Sequence, residues 1–306
     1  MRRVFLALLL CWPLVAPLGA QPHFVVVCGP GGEPEYERLF ADWGVRLHRV
    51  LRKLGHAPER VALLNGGAPA TAAEVVEALQ VARTAAGVDG ALFVFLIGHG
   101  SYRGGEAKLI LEGPDLGAGH LAAALEGAPM AAIVNAASSS APFINSLSGP
   151  GRVLCTATKS AEERNAPVFM EHFIRGLEDG SADIDGDERI SLREACAQGA
   201  SLTAGFFAGE GLVATEHALY DGDGDGLGLR PAAVAPDGAT VFLRDWRPPP
   251  GTPAAWVDEY RKALDEVRRW IAGKDALEAE AYAAGLEKLL VQAARLNVRL
   301  RPPAVE

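Results

Sequence analysis

The sequence predicts an α/β fold: a mostly parallel sheet with helices on both faces, followed by a C-terminal α-helical hairpin. Three observations predict it. Short apolar runs alternate with amphipathic stretches of helical period. The runs are apolar at nearly every position rather than at alternate ones, as in strands buried on both faces. Beyond a proline-rich break at Arg247-Pro248-Pro249-Pro250-Gly251 the strand signal stops, and two charged stretches of helical spacing remain.

The first strand is His23–Cys28, with a turn at Gly29-Pro30-Gly31-Gly32 and a helix from about Pro34 to Leu54. The second, Arg60–Leu64, leads through Asn65-Gly66-Gly67 into a helix near Thr71–Ala86. The third, Ala91–Ile97, is the most apolar and ends abruptly at Gly98-His99-Gly100. A short helix over Ala118–Leu125 precedes the fourth strand, Met130–Ala136, which ends in Ala137-Ser138-Ser139-Ser140. The fifth strand is Arg152–Ala157, with a helix near Ala166–Leu177 behind it. After Val241-Phe242-Leu243 and the proline-rich break, helices are expected over roughly Ala254–Ala272 and Asp275–Leu296. Trp256, Tyr260, Leu264, Val267 and Ile271 share one helical face, as do Tyr282, Leu286, Leu289 and Ala293, which reads as an αα-hairpin. The expected organisation is a leader at 1–20, the α/β domain at 21–230, a strand and linker at 231–251, and the hairpin at 252–306.

Residues 1–20 read as a signal peptide: Arg2 and Arg3, an apolar stretch from Val4 to Val15, then small residues at Gly19 and Ala20. The apolar run is short for a bilayer span. Leu8-Leu9-Leu10 before Cys11 lacks the small residue that precedes a lipid-modified cysteine. The expectation is a secreted or periplasmic protein with no transmembrane span after leader removal; the alternative is an uncleaved anchor. Lys and Arg number 29 against 38 Asp and Glu, a formal net charge of −9. This charge gives no footprint for nucleic acid and no basic cluster for anionic lipid. With Cys11 in the leader, the odd set Cys28, Cys155 and Cys196 remains, which does not read as a disulfide framework, and Cys28 and Cys155 fit small buried hydrophobes in apolar runs.

In open parallel sheets, function collects at the carboxyl ends of strands. One end places His99 between glycines. Gly100 leaves the backbone open to a substrate, and an imidazole there can act as general base; the plain alternative is a solvated loop histidine. The other end reads Asn135-Ala136-Ala137-Ser138-Ser139-Ser140. The ordered set of an apolar strand ending in His-Gly, a later strand ending in this second motif, the strand Arg152–Thr158 and the segment Glu216–Asp223 resembles the legumain, caspase and gingipain peptidase clan over about His23 to Gly226. The resemblance implies a caspase/legumain-like sheet with a cysteine–histidine pair at the strand ends. The simplest register puts Ala137 in the nucleophile position and Asn135 at the acidic or amide position before it. Alanine cannot be a nucleophile. A register slip offers Ser138, a weaker nucleophile than cysteine without a well-oriented base; the serine run also fits a polar loop capping the helix at Phe143–Leu147. Arg38 falls where legumain-like peptidases carry a substrate-pocket arginine, with Leu39 replacing the neighbouring histidine; a surface arginine on an amphipathic helix is the other reading.

The run Asp183 to Glu194 matches the twelve-residue EF-hand loop at most ligand positions. Asp183, Asp185, Asp187 and Glu194 offer carboxylates, Arg189 a backbone carbonyl, and Ser191 the ninth position. Glu188 stands where glycine is expected, at a backbone cost of about 1–2 kcal/mol. Asp221-Gly222-Asp223-Gly224-Asp225-Gly226 repeats the first half of such a loop but reaches Ala232 at position twelve, and fits a Gly/Asp-rich turn as well. The functional expectation is a pseudopeptidase that binds a peptide or protein ligand. One alternative is an active hydrolase using Ser138 with His99 as base; the other is a calcium-binding scaffold, with calcium as a structural ion.

Overall fold

The protein is described by a computed structural model covering residues 22–64, 70–234, 240–245, 251–274 and 278–300. The leader at 1–20, the turn Asn65-Gly66-Gly67, most of the proline-rich break and Asp275 lie outside the described residues. Six strands form the main sheet: β1 (His23–Cys28), β2 (Val61–Leu64), β3 (Ala91–Ile97), β7 (Met130–Asn135), β8 (Arg152–Thr156) and β10 (Leu219–Asp221). Their order is β10-β8-β7-β3-β1-β2, with every pair parallel except β10 on β8. The continuous burial of β1 and nearly all of β3 follows from helices on both faces.

On one face lie α1 (Pro34–Lys53), α5 (Phe169–Glu178) and α6 (Leu192–Gly209); Phe40, Trp43, Phe95 and Phe173 anchor that core. On the other lie α2 (Ala72–Ala86), α3 (Ala118–Ala124) and α4 (Pro142–Leu147), with Val75, Leu79, Leu121 and Phe143. Local chemistry sets the helix starts. Pro34 opens α1, with Glu35 and Glu37 in its first turn and Arg52 and Lys53 in its last. Thr71 and Glu74 form a reciprocal capping box on α2. Arg46 on α1 grips α5 through Glu171 at 2.6 Å and Glu178 at 2.8 Å.

The fold contains elements that the sequence reading does not foresee. Residues 100–117 form a small sheet of β4 (Gly100–Arg103), β5 (Glu106–Leu109) and β6 (Leu116–Gly117). Its hairpin turns at Gly104 and Gly105, both at positive φ; strands this short carry little alternation. Helix α6 escapes notice because its alanines and glycines make a weak stripe. Gly199 lets α6 approach α5, since a Cβ there would lie 3.1 Å from the Phe169 ring and 3.2 Å from the Phe173 backbone. Ser191 and Glu194 cap its start.

Cysteine usage needs correction. Cys155 on β8 and Cys196 on α6 form a disulfide, leaving Cys28 as the free thiol among the described residues, buried in the core. Parity and spacing could not reveal a pair that the fold brings together across 41 positions. The serine run also does not cap α4: no side chain caps that helix.

β9 (Ile190–Ser191) pairs antiparallel with β11 (Phe242–Arg244). Beyond it, α7 (Ala254–Ala272) and α8 (Ala279–Leu300) run antiparallel, since Arg299 reaches Glu259 at 2.8 Å while Trp270 Nε1 donates to the Tyr282 carbonyl at 3.0 Å. Their core holds Val257, Tyr260, Ala263, Val267, Ala293 and Leu300. Trp256 and Ile271, expected within the stripe, are exposed, so the α7 stripe is rotated toward Val257 and Ala263. Among the described residues, no helix is long and apolar enough to cross a membrane.

Candidate functional site

The carboxyl ends of β1, β3, β7 and β8 meet at one edge of the sheet. Backbone bonds continue past the strands: Gly29 donates to Ile97, Ala136 to Leu96 and Ala157 to Asn135, each at 2.9 Å. The loops after β3 and β7 are thereby held side by side. Gly100 is required at their contact, because a Cβ there would lie 2.2 Å from the Ser138 carbonyl oxygen.

His99 is half-buried. Its Nε2 lies 2.9 Å from the Gly31 carbonyl, and its ring meets Tyr36 and Phe40 edge-on at 5.2 and 5.1 Å. A ring nitrogen so placed donates its proton to the β1–α1 turn, which fixes the tautomer. Ala137 is fully buried and belongs to the core on the α2–α4 face, opposite the face that holds Phe40. Its N–H donates to Asn135 Oδ1 at 3.1 Å, while Asn135 Nδ2 is buried with no partner among the described residues. Ser138 is 2% exposed; its hydroxyl accepts from Gly100 N–H at 3.0 Å and donates to the Gly100 carbonyl at 3.2 Å. Ser139, at φ 50°, donates its hydroxyl to Ala161 O and its N–H to Glu163 O. Ser140 pairs with Thr158 at 3.1 Å. The serines thus tie the loop after β7 to its neighbours. Arg38 lies on the exposed side of α1.

A second polar group at this edge has no local sequence signature. The loop after β8 brings Glu163 to His217, Oε1 to Nδ1 at 2.6 Å, and Glu163 Oε2 also accepts from the backbone N–H of Lys159 and His217. Next to it, Glu216 is 5% exposed and accepts from Val168 N–H at 2.8 Å and Phe169 N–H at 3.2 Å. Burial pushes the Glu216 carboxyl up to about 7 against the pull of those two N–H groups, and Glu163 nearby adds to the rise. The partners lie some fifty residues apart in the chain. The sequence flags Glu216 and His217 only as part of a closing segment.

The acidic loop sits between α5 and α6. Carboxylate oxygens of Asp183, Asp185 and Asp187 lie within 4.8 Å of one another. Glu194 folds back so that Oε2 accepts from Ser191 N–H and its hydroxyl, and Oε1 from Asp185 N–H at 3.4 Å. Glu188 takes φ 63°, the left-handed conformation expected at that position. The Arg189 N–H donates to Asp187, and its side chain reaches Asp245 at 2.8 Å. Arg244 holds Asp183 Oδ2 at 2.9 Å, while Asp183 Oδ1 is buried with no partner among the described residues. Burial raises the Asp183 pKa, opposed by Arg244 and reinforced by the neighbouring acids. In the second loop Asp221, Asp223 and Asp225 also cluster. There the buried Asp221 is occupied by Ser148, Gly224 and Gly226.

No protein-family model matches the chain, and no curated protein matches it. Function therefore has to be argued from these sites. At the strand-end edge the serine hydroxyls are engaged in bonds to neighbouring groups, and position 137 presents only a buried methyl group.

Proposed function

We propose that the chain is an exported, legumain- or caspase-like pseudopeptidase whose strand-end cleft binds a peptide or a partner protein without cutting it. The observation that carries this reading is Ala137. It occupies the nucleophile position of the resemblance, is fully buried, and has no group that could attack. The rival hydrolase needs Ser138 to pass its proton to His99. The Ser138 hydroxyl instead bridges the Gly100 backbone, and His99 Nε2 faces the Gly31 carbonyl. The test exposes leader-free protein to a diverse peptide library, with and without calcium, beside His99→Ala and Ser138→Ala. Retention of a peptide subset without cleavage is expected. Cleavage lost in both variants would overturn the reading and establish a Ser/His peptidase.

A second reading, calcium binding by the loop of Asp183, Asp185, Asp187, Arg189, Ser191 and Glu194, is favoured by the unpartnered Asp183 Oδ1 and the clustered carboxylates. Calcium titration followed by thermal unfolding tests it: an unchanged midpoint at millimolar calcium would remove it.

A further inference from the structure

A cavity of about 460 Å³ opens between the middle of α6, the segment leading into β10 and the short turn at Pro231–Ala233. Its wall is largely alanine, including Ala157, Ala200 and Ala204, closed on one side by the Phe169 ring. Volume and lining suit a small organic ligand with an apolar body. Two groups that ionise with opposite sign serve it. Glu216 lies in the wall, nearly fully buried, and Arg230 stands exposed at the rim.

The wall of this cavity contains a buried carboxyl group with no cationic partner among the described residues. The two backbone N–H bonds to Glu216 fill two of the roughly four acceptor sites of a carboxylate. Its neighbour Glu163 is engaged by His217. Buried carboxylates are ordinarily paired, and an ammonium group entering the cavity would complete the pair. At the rim, the guanidinium of Arg230 suits a carboxylate in a forked geometry.

We propose that this cavity binds a small zwitterion, an α-amino acid with a branched apolar side chain. Its ammonium pairs with Glu216, its carboxylate with Arg230, and its side chain rests among the alanines. The site shares the β8 end with that edge, but its lining includes none of His99, Gly100, Asn135, Ala137 and Ser138, so its success or failure leaves the pseudopeptidase reading untouched.

The test is calorimetric titration of the full leader-free chain with L-leucine, 3-methylbutylamine and 4-methylpentanoate, which share a side chain but differ in charged ends. Leucine is expected to bind saturably, with the single-ended analogues weaker by about tenfold or more, the loss of one charge-assisted contact. Arg230→Gln should weaken leucine by a similar factor and leave the amine unchanged. Ala204→Phe, on an exposed helix position, should fill the cavity and abolish binding in a protein with unaltered unfolding. No leucine binding at millimolar concentration would overturn the proposal. So would an analogue binding as tightly as leucine, or full affinity in Ala204→Phe.

Discussion

Ser138 and Gly100 lock two strand ends together, the hydroxyl of one accepting from the N–H and donating to the carbonyl of the other at 3.0 and 3.2 Å. The serine that a hydrolase would use is thus a brace between the loops after β3 and β7. Removing it leaves both Gly100 backbone groups without that partner in a half-buried position. Ser138→Ala should lower stability by about 1–3 kcal/mol, read from urea unfolding. Unchanged stability would show the brace to be idle and would reopen Ser138 as a free hydroxyl.

Gly100 makes a sharper case. A methyl group there would meet the Ser138 carbonyl oxygen at 2.2 Å, and that neighbour is backbone rather than a flexible side chain. Gly100→Ala should therefore push the two loops apart, costing about 1–3 kcal/mol or more. Peptide retention at the strand ends should fall with it. Binding at full affinity would place the ligand elsewhere.

The residues that carried the fold in the sequence were those whose pattern is local. Val25, Val27 and Val94 announce strands because both faces need apolar side chains, and Thr71 with Glu74 announces a helix start. The acidic run from Asp183 to Glu194 is a local pattern too, and it lies between two packed helices. What stayed hidden depends on distant partners. Cys155 meets Cys196 and Glu163 meets His217 only once β8 and α6 are in place. Helix α6 was hidden by the very alanines and glycines that let it pack against α5 and open a cavity beside Glu216. At the strand ends, the motif around His99 carried no sign of the ring contacts with Tyr36 and Phe40, which come from α1.

The Cys155–Cys196 disulfide ties the sheet to α6, closing a loop of sequence separation 41. Chain-entropy reasoning gives such a cross-link about 3–4 kcal/mol. Reduction, or Cys155→Ser with Cys196→Ser, should shift the urea midpoint accordingly. Cys28 should resist alkylation in the native state, because burial pushes its thiol up to about 12 and the thiolate is the reactive form. In the leader-free chain, labelling of native Cys28 would contradict its burial, and labelling of Cys155 or Cys196 without reductant would contradict the disulfide.

Calcium binding should be confined to the first acidic loop. With calcium at ten to a hundred times its dissociation constant, stabilisation of about 1–3 kcal/mol follows from mass action. Asp185→Ala should abolish that gain. Asp223→Ala should leave it intact, because buried Asp221 in that loop is already satisfied by Ser148 and two glycine N–H groups. A response lost in Asp223→Ala and kept in Asp185→Ala would reverse the assignment.

Glu216 should imprint a pH dependence opposite to that of an ordinary ion-paired carboxylate. Its folded-state pKa is raised from 4.5 to about 7, so the native state holds its proton more tightly than the unfolded chain. Its stabilising contribution is complete below pH 4.5 and declines as pH rises through 7, by at most about 3 kcal/mol. Burial lowers the pKa of His23, His56 and His172, which gives the reverse trend as pH rises through the usual histidine range. The two effects overlap in the wild-type profile. The difference between wild type and Glu216→Gln isolates the carboxyl, since both proteins carry the same histidines. Between pH 5 and 8 the wild type should lose stability relative to the variant, and the gap should level off above pH 8. Parallel profiles across that range would mean that Glu216 titrates as an ordinary glutamate and that its burial carries no charge penalty.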